Sequence, residues 1–173
     1  MEGLIAKLKR RDKNAFKEIM KLYKNMIFNY INLMINNREL AEELTQETFV
    51  RVYFKAHTLK SDNPKAWIYK IATNLTLKEL KKRRLKRLLP FSEWRNSNHY
   101  YTKDDSKILI NELLKDIPEK YKTPIIMKEI EELSFEEISD ILNKPVGTVK
   151  SLVFRGKQLL KDNYNKFNGG SND

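Results

Sequence analysis

Leu133–Leu160 reads LSFEEISDILNKPVGTVKSLVFRGKQLL, and this order of residue types specifies a short helix, a tight turn and a second helix. Ser134 can cap the backbone N–H three residues on, and Glu137 can reach back to Ser134; that reciprocal pair marks a helix start. Phe135, Ile138, Ile141 and Leu142 then fall on the inward face. Asn143 tolerates a left-handed backbone, which ends the helix. Pro145 suits the opening of a new one. Ser139 is a small residue where the two helices would approach. Val149, Leu152, Val153, Gly156, Leu159 and Leu160 recur at three- and four-residue steps and form the core stripe of the second helix. The whole is the helix-turn-helix pattern.

The other face of the second helix carries Thr148, Ser151, Arg155 and Gln158, with Lys150, Lys157 and Lys161 alongside. Hydroxyl, amide and guanidinium groups can read base edges in a major groove. Flanking lysines would hold phosphates and set register. A solvated helix face would have the same composition, but the turn chemistry favours duplex DNA.

Outward from this motif, apolar residues keep a helical period almost everywhere. The second half reads as four helices, at about 107–116, 118–131, 135–142 and 146–163. Pro124 falls inside the second and should kink it or move its start. Residues 168–173 read as a disordered tail. Residues 89–106, LPFSEWRNSNHYYTKDDS, lose the period. Structureless loops of that length are uncommon within one domain, so they read as a flexible linker.

The first half reads as three long helices. The first spans about 12–35, with Ala15, Ile19, Leu22, Tyr23 and Met26 on one face. Asn36-Asn37 breaks it, and the next spans about 38–57. Asn63 and Pro64 are the N-cap and first residue of a third, which runs to about Arg84. In the second helix Glu39, Glu43 and Gln46 share a face with Val50. Acidic residues there suit the helix dipole, and equally a basic protein partner. The third helix has a core face of Trp67, Ile68, Ile71, Ala72 and Leu75. Lys70, Asn74, Lys78 and Lys81 line another face, and the helix ends in Lys81, Lys82, Arg83 and Arg84. Such a cluster exceeds what a C-terminal cap requires and reads as a phosphate-binding ridge. Asn74 can hydrogen-bond an unpaired base. Tyr69 could stack on single-stranded DNA or belong to the core, whereas the spacing assigns Trp67 to the core.

The bulk properties agree. The 173 residues carry a net charge of +11, which favours a polyanion as partner. There is no Cys, which excludes disulfides and thiol catalysis and fits the cytoplasm. Lys7 and Lys9 break the only apolar stretch near the N-terminus, so no signal peptide is expected, and no run approaches the roughly 20 apolar residues of a membrane span. His57 and His99 are the only histidines, and no Gly-rich phosphate loop or metal-site spacing occurs. No catalytic residue, metal, cofactor or small-molecule substrate is therefore expected.

In chain order, AEELTQETFVRVY, PKAWIYKIATNLTLKELKKRR and the helix-turn-helix segment resemble three stretches of the extracytoplasmic-function (ECF) sigma factors. They are the polymerase-clamp-binding helix, the −10 element helix and the −35 element helix. IPEKYKTPIIMKEIEEL matches the family's lead-in to the last. The resemblance covers nearly the whole chain. It implies an all-α fold of two small helical domains, a sigma2-like helical bundle at 1–88 and a sigma4-like helix-turn-helix at 107–167, with the linker at 89–106.

The resemblance also implies roles. Glu39, Glu43, Gln46 and Glu47 would bind core RNA polymerase, on the β′ clamp, while the C-terminal domain lies near the β flap. Lys70, Asn74, Lys78, Lys81, Arg83 and Arg84 would bind the −10 element, with Asn74 at a flipped-out base. Thr148, Lys150, Ser151, Arg155 and Gln158 would bind the −35 element. Glu93, Asp104 and Asp105 of the linker would suit a basic polymerase channel. Promoter DNA, the β and β′ subunits of core RNA polymerase, and an anti-sigma factor, in many relatives membrane-anchored, are the implied partners. Leu152 departs from the family's usual Arg, and Pro124 is unusual within its helix. The alternative is a stand-alone helix-turn-helix regulator, which would need neither the LTQETF face nor the IATNLT helix.

Overall fold

A computed structural model describes residues 2–60, 63–87 and 105–169. Every regular element among them is a helix. Four α-helices lie in the first half: α1 (Glu2–Lys9), α2 (Lys13–Ile35), α3 (Arg38–Lys55) and α4 (Pro64–Arg87), with a 3-10 turn at Ala56–Thr58. The second half holds α5 (Asp105–Lys115), α6 (Glu119–Ile125), α7 (Phe135–Leu142) and α8 (Val146–Gly169), with a π turn at Ile126–Ile130. They form two compact units, α1–α4 and α5–α8. No helix among the described residues is long and apolar enough to cross a membrane. Most of the expected linker, with Glu93 and Asp104, lies outside the described residues, as do 170–173 of the tail. Two ends differ from expectation: Asp105 already opens α5, and α8 extends through Gly169.

In the first unit, α2 and α3 make a helical hairpin. Asn36 takes the left-handed conformation at φ 51°, and Asn37 caps α3 by accepting the Leu40 N–H at 2.8 Å. Both residues are amide side chains suited to those two tasks. α4 packs on α2 and α3, and α1 covers α2 and the 3-10 turn. Tyr30 and Tyr69 are fully buried, with ring centroids 5.4 Å apart, and the Tyr30 hydroxyl pairs with Thr73 at 2.9 Å. The buried hydroxyls of Thr45 and Thr76 donate to the carbonyls of Ala41 and Ala72, so these two are satisfied within their own helices.

Two features of this unit depart from the periodic pattern. The pattern places Leu22 on the buried face of α2, yet it is 52% exposed. At about 100° per residue it lies some 60° to one side of Ile19, while Tyr30 and Met34 place the buried face on the other side. Helix α1 has no periodic signal in the sequence: its two buried residues, Ile5 and Leu8, are too few to show a repeat.

In the second unit, α8 is the central element and α5, α6 and α7 pack on it. Asn163 of α8 donates to the Leu113 carbonyl of α5 at 2.9 Å. Pro124 stays inside α6 and is buried. Lacking an N–H, it cannot bond the Lys120 carbonyl four residues back, so α6 makes one backbone bond fewer there. The helix then widens into the π turn, where Glu131 N–H bonds the Ile126 carbonyl at 3.0 Å. Glu132, at φ 55°, turns the chain towards α7.

Candidate nucleic-acid interface

The turn between α7 and α8 is held locally. Glu137 N–H donates to Ser134 Oγ at 3.0 Å, and Ser134 N–H donates to the Glu137 carboxylate at 2.8 Å. Asn143 ends α7 at φ 50°. Ser139 is half-buried in α7. Its hydroxyl donates to the Lys144 carbonyl at 2.5 Å, and its carbonyl accepts the Lys144 N–H at 3.1 Å, so it closes the turn. A close approach between helices lies at Gly156, against α6. A Cβ there would lie 2.5 Å from Ile125 Cγ1 and 3.2 Å from the Tyr121 carbonyl oxygen.

Val149, Val153 and Gly156 are buried and Leu152, Leu159 and Leu160 half-buried, which fixes the rotation of α8. Thr148, Lys150, Ser151, Arg155 and Gln158 are all exposed. Two of the flanking lysines, Lys150 and Lys157, meet neighbouring elements. Lys150 stands 5.6 Å and Lys128 4.8 Å from the Phe135 ring centroid, and Lys157 pairs with Glu129 at 2.8 Å. Ser151 donates back to Gly147 at 3.0 Å. Leu152 is half-buried, in keeping with its place in the apolar stripe.

In α4, Lys70, Asn74, Lys78 and Lys81 fall within about 40° of one another's mean direction, at about 100° per residue. Asn74, Lys78 and Lys81 are exposed and Lys70 half-exposed. The structure does not bring Arg83 to them: it lies half a turn round from Asn74, because α4 stays helical through the basic run. Arg84 lies at the edge of the face. The aromatic residues correct the sequence reading. Tyr69 is wholly buried against Tyr30, so it cannot stack on DNA, whereas Trp67, expected in the core, is half-exposed on the Asn74 face.

In α3, Glu39, Glu43, Gln46 and Glu47 are exposed on one face, and Glu47 pairs with Arg51 at 2.7 Å. Val50 and Phe54, 49% and 57% exposed, continue that face towards the end of the helix. An acidic face thus runs into exposed apolar side chains, which a helix dipole alone does not require.

Residues 19–86 match the Sigma-70 region 2 family and residues 107–160 the Sigma-70, region 4 family. The ECF RNA polymerase sigma factor SigW of Bacillus subtilis (strain 168) is 33% identical, over 91% of this chain and 92% of its own length. This chain belongs to the ECF RNA polymerase sigma factors. It binds core RNA polymerase and directs transcription initiation at promoters it selects. The family comprises initiation factors, not enzymes. Another relative is the ECF sigma factor SigM of the same organism, 29% identical over 90% of this chain and 97% of that protein.

Two solved structures share the fold. RpoE, in complex with the anti-sigma factor NepR from Bartonella quintana, has 21% identity and a TM-score of 0.71, over 87% of this chain and 96% of that one. CnrH, in complex with the cytosolic domain of CnrY, has 18% identity and a TM-score of 0.72, over 92% and 93%. The match of α2–α4 to region 2 leaves the stand-alone regulator without support.

Three features of this sigma factor are not evident from its sequence pattern. Phe154 is 63% exposed between Lys150 and Gln158 on the outer face of α8. It does carry a signal: it is an aromatic residue lying off the apolar stripe. Phe54 extends the acidic face of α3, and Trp67 joins the Asn74 face. All three are large apolar side chains exposed or half-exposed on polar faces.

Proposed function

We propose that the two units divide promoter recognition. Residues 107–167 hold the duplex at the −35 element with Thr148, Lys150, Ser151, Arg155 and Gln158. Residues 1–88 hold the separated −10 strand with Lys70, Asn74, Lys78, Lys81 and Arg84. Glu39, Glu43, Gln46 and Glu47, extended by Val50 and Phe54, bind core polymerase. The observation that carries this reading is the exposed face of α8, whose rotation is set by buried Val149, Val153 and Gly156.

Lys70, Lys78 and Lys81 supply charge for phosphates, while Asn74 offers an amide to an unstacked base. Trapping that base offsets unstacking of a few kcal/mol, so strand separation is driven by binding energy. The chain does no chemistry of its own and acts in the cytoplasm, where core polymerase is. The complex of the sigma factor RpoE with the anti-sigma factor NepR supports an anti-sigma factor as a further partner.

Reconstituted transcription tests the reading. Core polymerase plus this chain, on genomic fragments, should give discrete start sites. Asn74→Ala should bind core normally and open promoters poorly; Arg155→Ala should weaken duplex binding. Normal initiation by Asn74→Ala would remove the flipped-base assignment.

A further inference from the structure

The corner between α1 and α2 holds Arg11 in the left-handed conformation, at φ 61°. Asn36 and Asn143 are amides that tolerate that conformation, but arginine has no short side chain to bond its own backbone. The corner is pinned on both sides. Arg11 N–H donates to the Leu8 carbonyl at 2.8 Å, and Asp12 accepts the Ala15 N–H at 2.8 Å. The Arg11 side chain reaches the last turn of α3, 43 residues on. Its Nη2 donates to the Phe54 carbonyl at 3.4 Å, and its guanidinium carbon stands 5.7 Å from the Phe54 ring centroid. In return the Tyr53 hydroxyl donates to the Arg11 carbonyl at 3.5 Å. The Tyr53 ring meets Phe54 edge to face, with centroids 5.5 Å apart, and meets Phe16 of α2 in the same way at 5.1 Å. Phe54 is 57% exposed, yet Arg11 and Tyr53 both bear on its ring. At about 100° per residue it lies about 20° from Glu43 and from Glu47, on the axis of the acidic face. An exposed ring already held in place loses little freedom when a partner covers it.

We propose that Arg11 is a positioning residue for core polymerase binding: it holds the Phe54 ring outward, set to enter an apolar recess of the polymerase. This deepens, and rests on, the assignment of the α3 face to core polymerase. Arg11 acts through Phe54 and not by a contact of its own. The α1–α2 corner thereby serves a surface that lies on another helix.

Two measurements on the full chain test it, both with Arg11→Gly. Glycine suits the left-handed backbone, so the corner keeps its shape and only the side-chain contact is lost. The first measurement needs no polymerase: carbon-13 relaxation at the Phe54 ring should report greater mobility in Arg11→Gly than in the wild type. Unchanged ring mobility overturns the proposal. The second is the affinity of each variant for core polymerase.

Arg11→Gly should weaken core binding about two- to tenfold, the range for immobilising one side chain, and should do nothing further in a Phe54→Ala background. Arg11→Lys, which keeps a cation beside the ring, should recover part of the loss. Equal losses in both backgrounds mean that Arg11 touches polymerase itself, and overturn the proposal. If Phe54→Ala is defective while Arg11→Gly is not, or if Glu43→Lys is defective while Phe54→Ala is not, the positioning role alone fails. If Phe54→Ala and Glu43→Lys both bind as wild type does, the assignment of the α3 face fails and the positioning role with it.

Discussion

Ser134→Ala should selectively loosen the helix-turn-helix. In the wild type the Ser134 hydroxyl accepts the Glu137 N–H at 3.0 Å, and the Glu137 carboxylate accepts the Ser134 N–H at 2.8 Å. The substitution removes the first bond outright and leaves the second. Loss of a Ser cap costs about 1 kcal/mol, within a range of about 0.5–2. The low end of that range holds where water can replace the lost acceptor. Here the bond is part-buried, so replacement is incomplete and about 1 kcal/mol is the working value.

α7 has only eight residues and little stability of its own. The loss therefore passes to its packing on α8. For a unit of this size, 1 kcal/mol lowers the midpoint by about 4–8 °C. Thermal unfolding followed by NMR at the Ile138 and Val149 amides should show that shift, and Ser134→Thr should recover most of it. A Ser134→Ala variant as stable as wild type, or a Thr variant as damaged as Ala, would refute the capping argument.

Gly156→Val should destabilise α5–α8 by about 1–3 kcal/mol through overpacking against buried Ile125, measured by urea denaturation. Lys122 is buried, and burial lowers its pKa to about 8 from 10.5. Because the folded pKa is the lower one, the unfolded state binds the extra proton between these values, so stability should rise as pH goes from about 8 to 10.5. The gain should be on the order of 3 kcal/mol, and Lys122→Met should abolish the rise and stabilise the chain at pH 7. Phe54→Asp should weaken core polymerase binding at least tenfold while leaving duplex binding by α8 intact, measured by anisotropy with each partner. Trp67→Ala should impair promoter opening, whereas Tyr69→Phe, which keeps the buried ring, should open promoters normally.

Much of this sigma factor is legible from local chemistry. Ser134, Glu137, Asn143 and Pro145 act within a turn of their own positions, and each does in the fold what its side chain predisposes it to do. Asn37 and Asn63 are the same kind of case, capping α3 and α4 from the position before the first helical residue. The polar face of α8 is legible because a long helix repeats its pattern several times. The face of α4 is only partly so: Asn74, Lys78 and Lys81 share it, but Arg83 does not, because a run of adjacent charges in a helix is spread around the axis.

The sequence by itself determined the helical class, the helix-turn-helix, the change of character near residue 89 and the family. These follow from periodicity, capping and order along the chain. Only the tertiary structure decided which aromatic residues are buried. Tyr69 and Trp67 are two positions apart with similar apolar bulk, and the partner at Tyr30 draws one of them inside. Likewise only packing showed that Gly156 lies directly against Ile125 and Tyr121 of α6. A side chain's neighbours in its own helix are set by spacing; its neighbours in another helix depend on how the two surfaces fit, and that fit has no local signal.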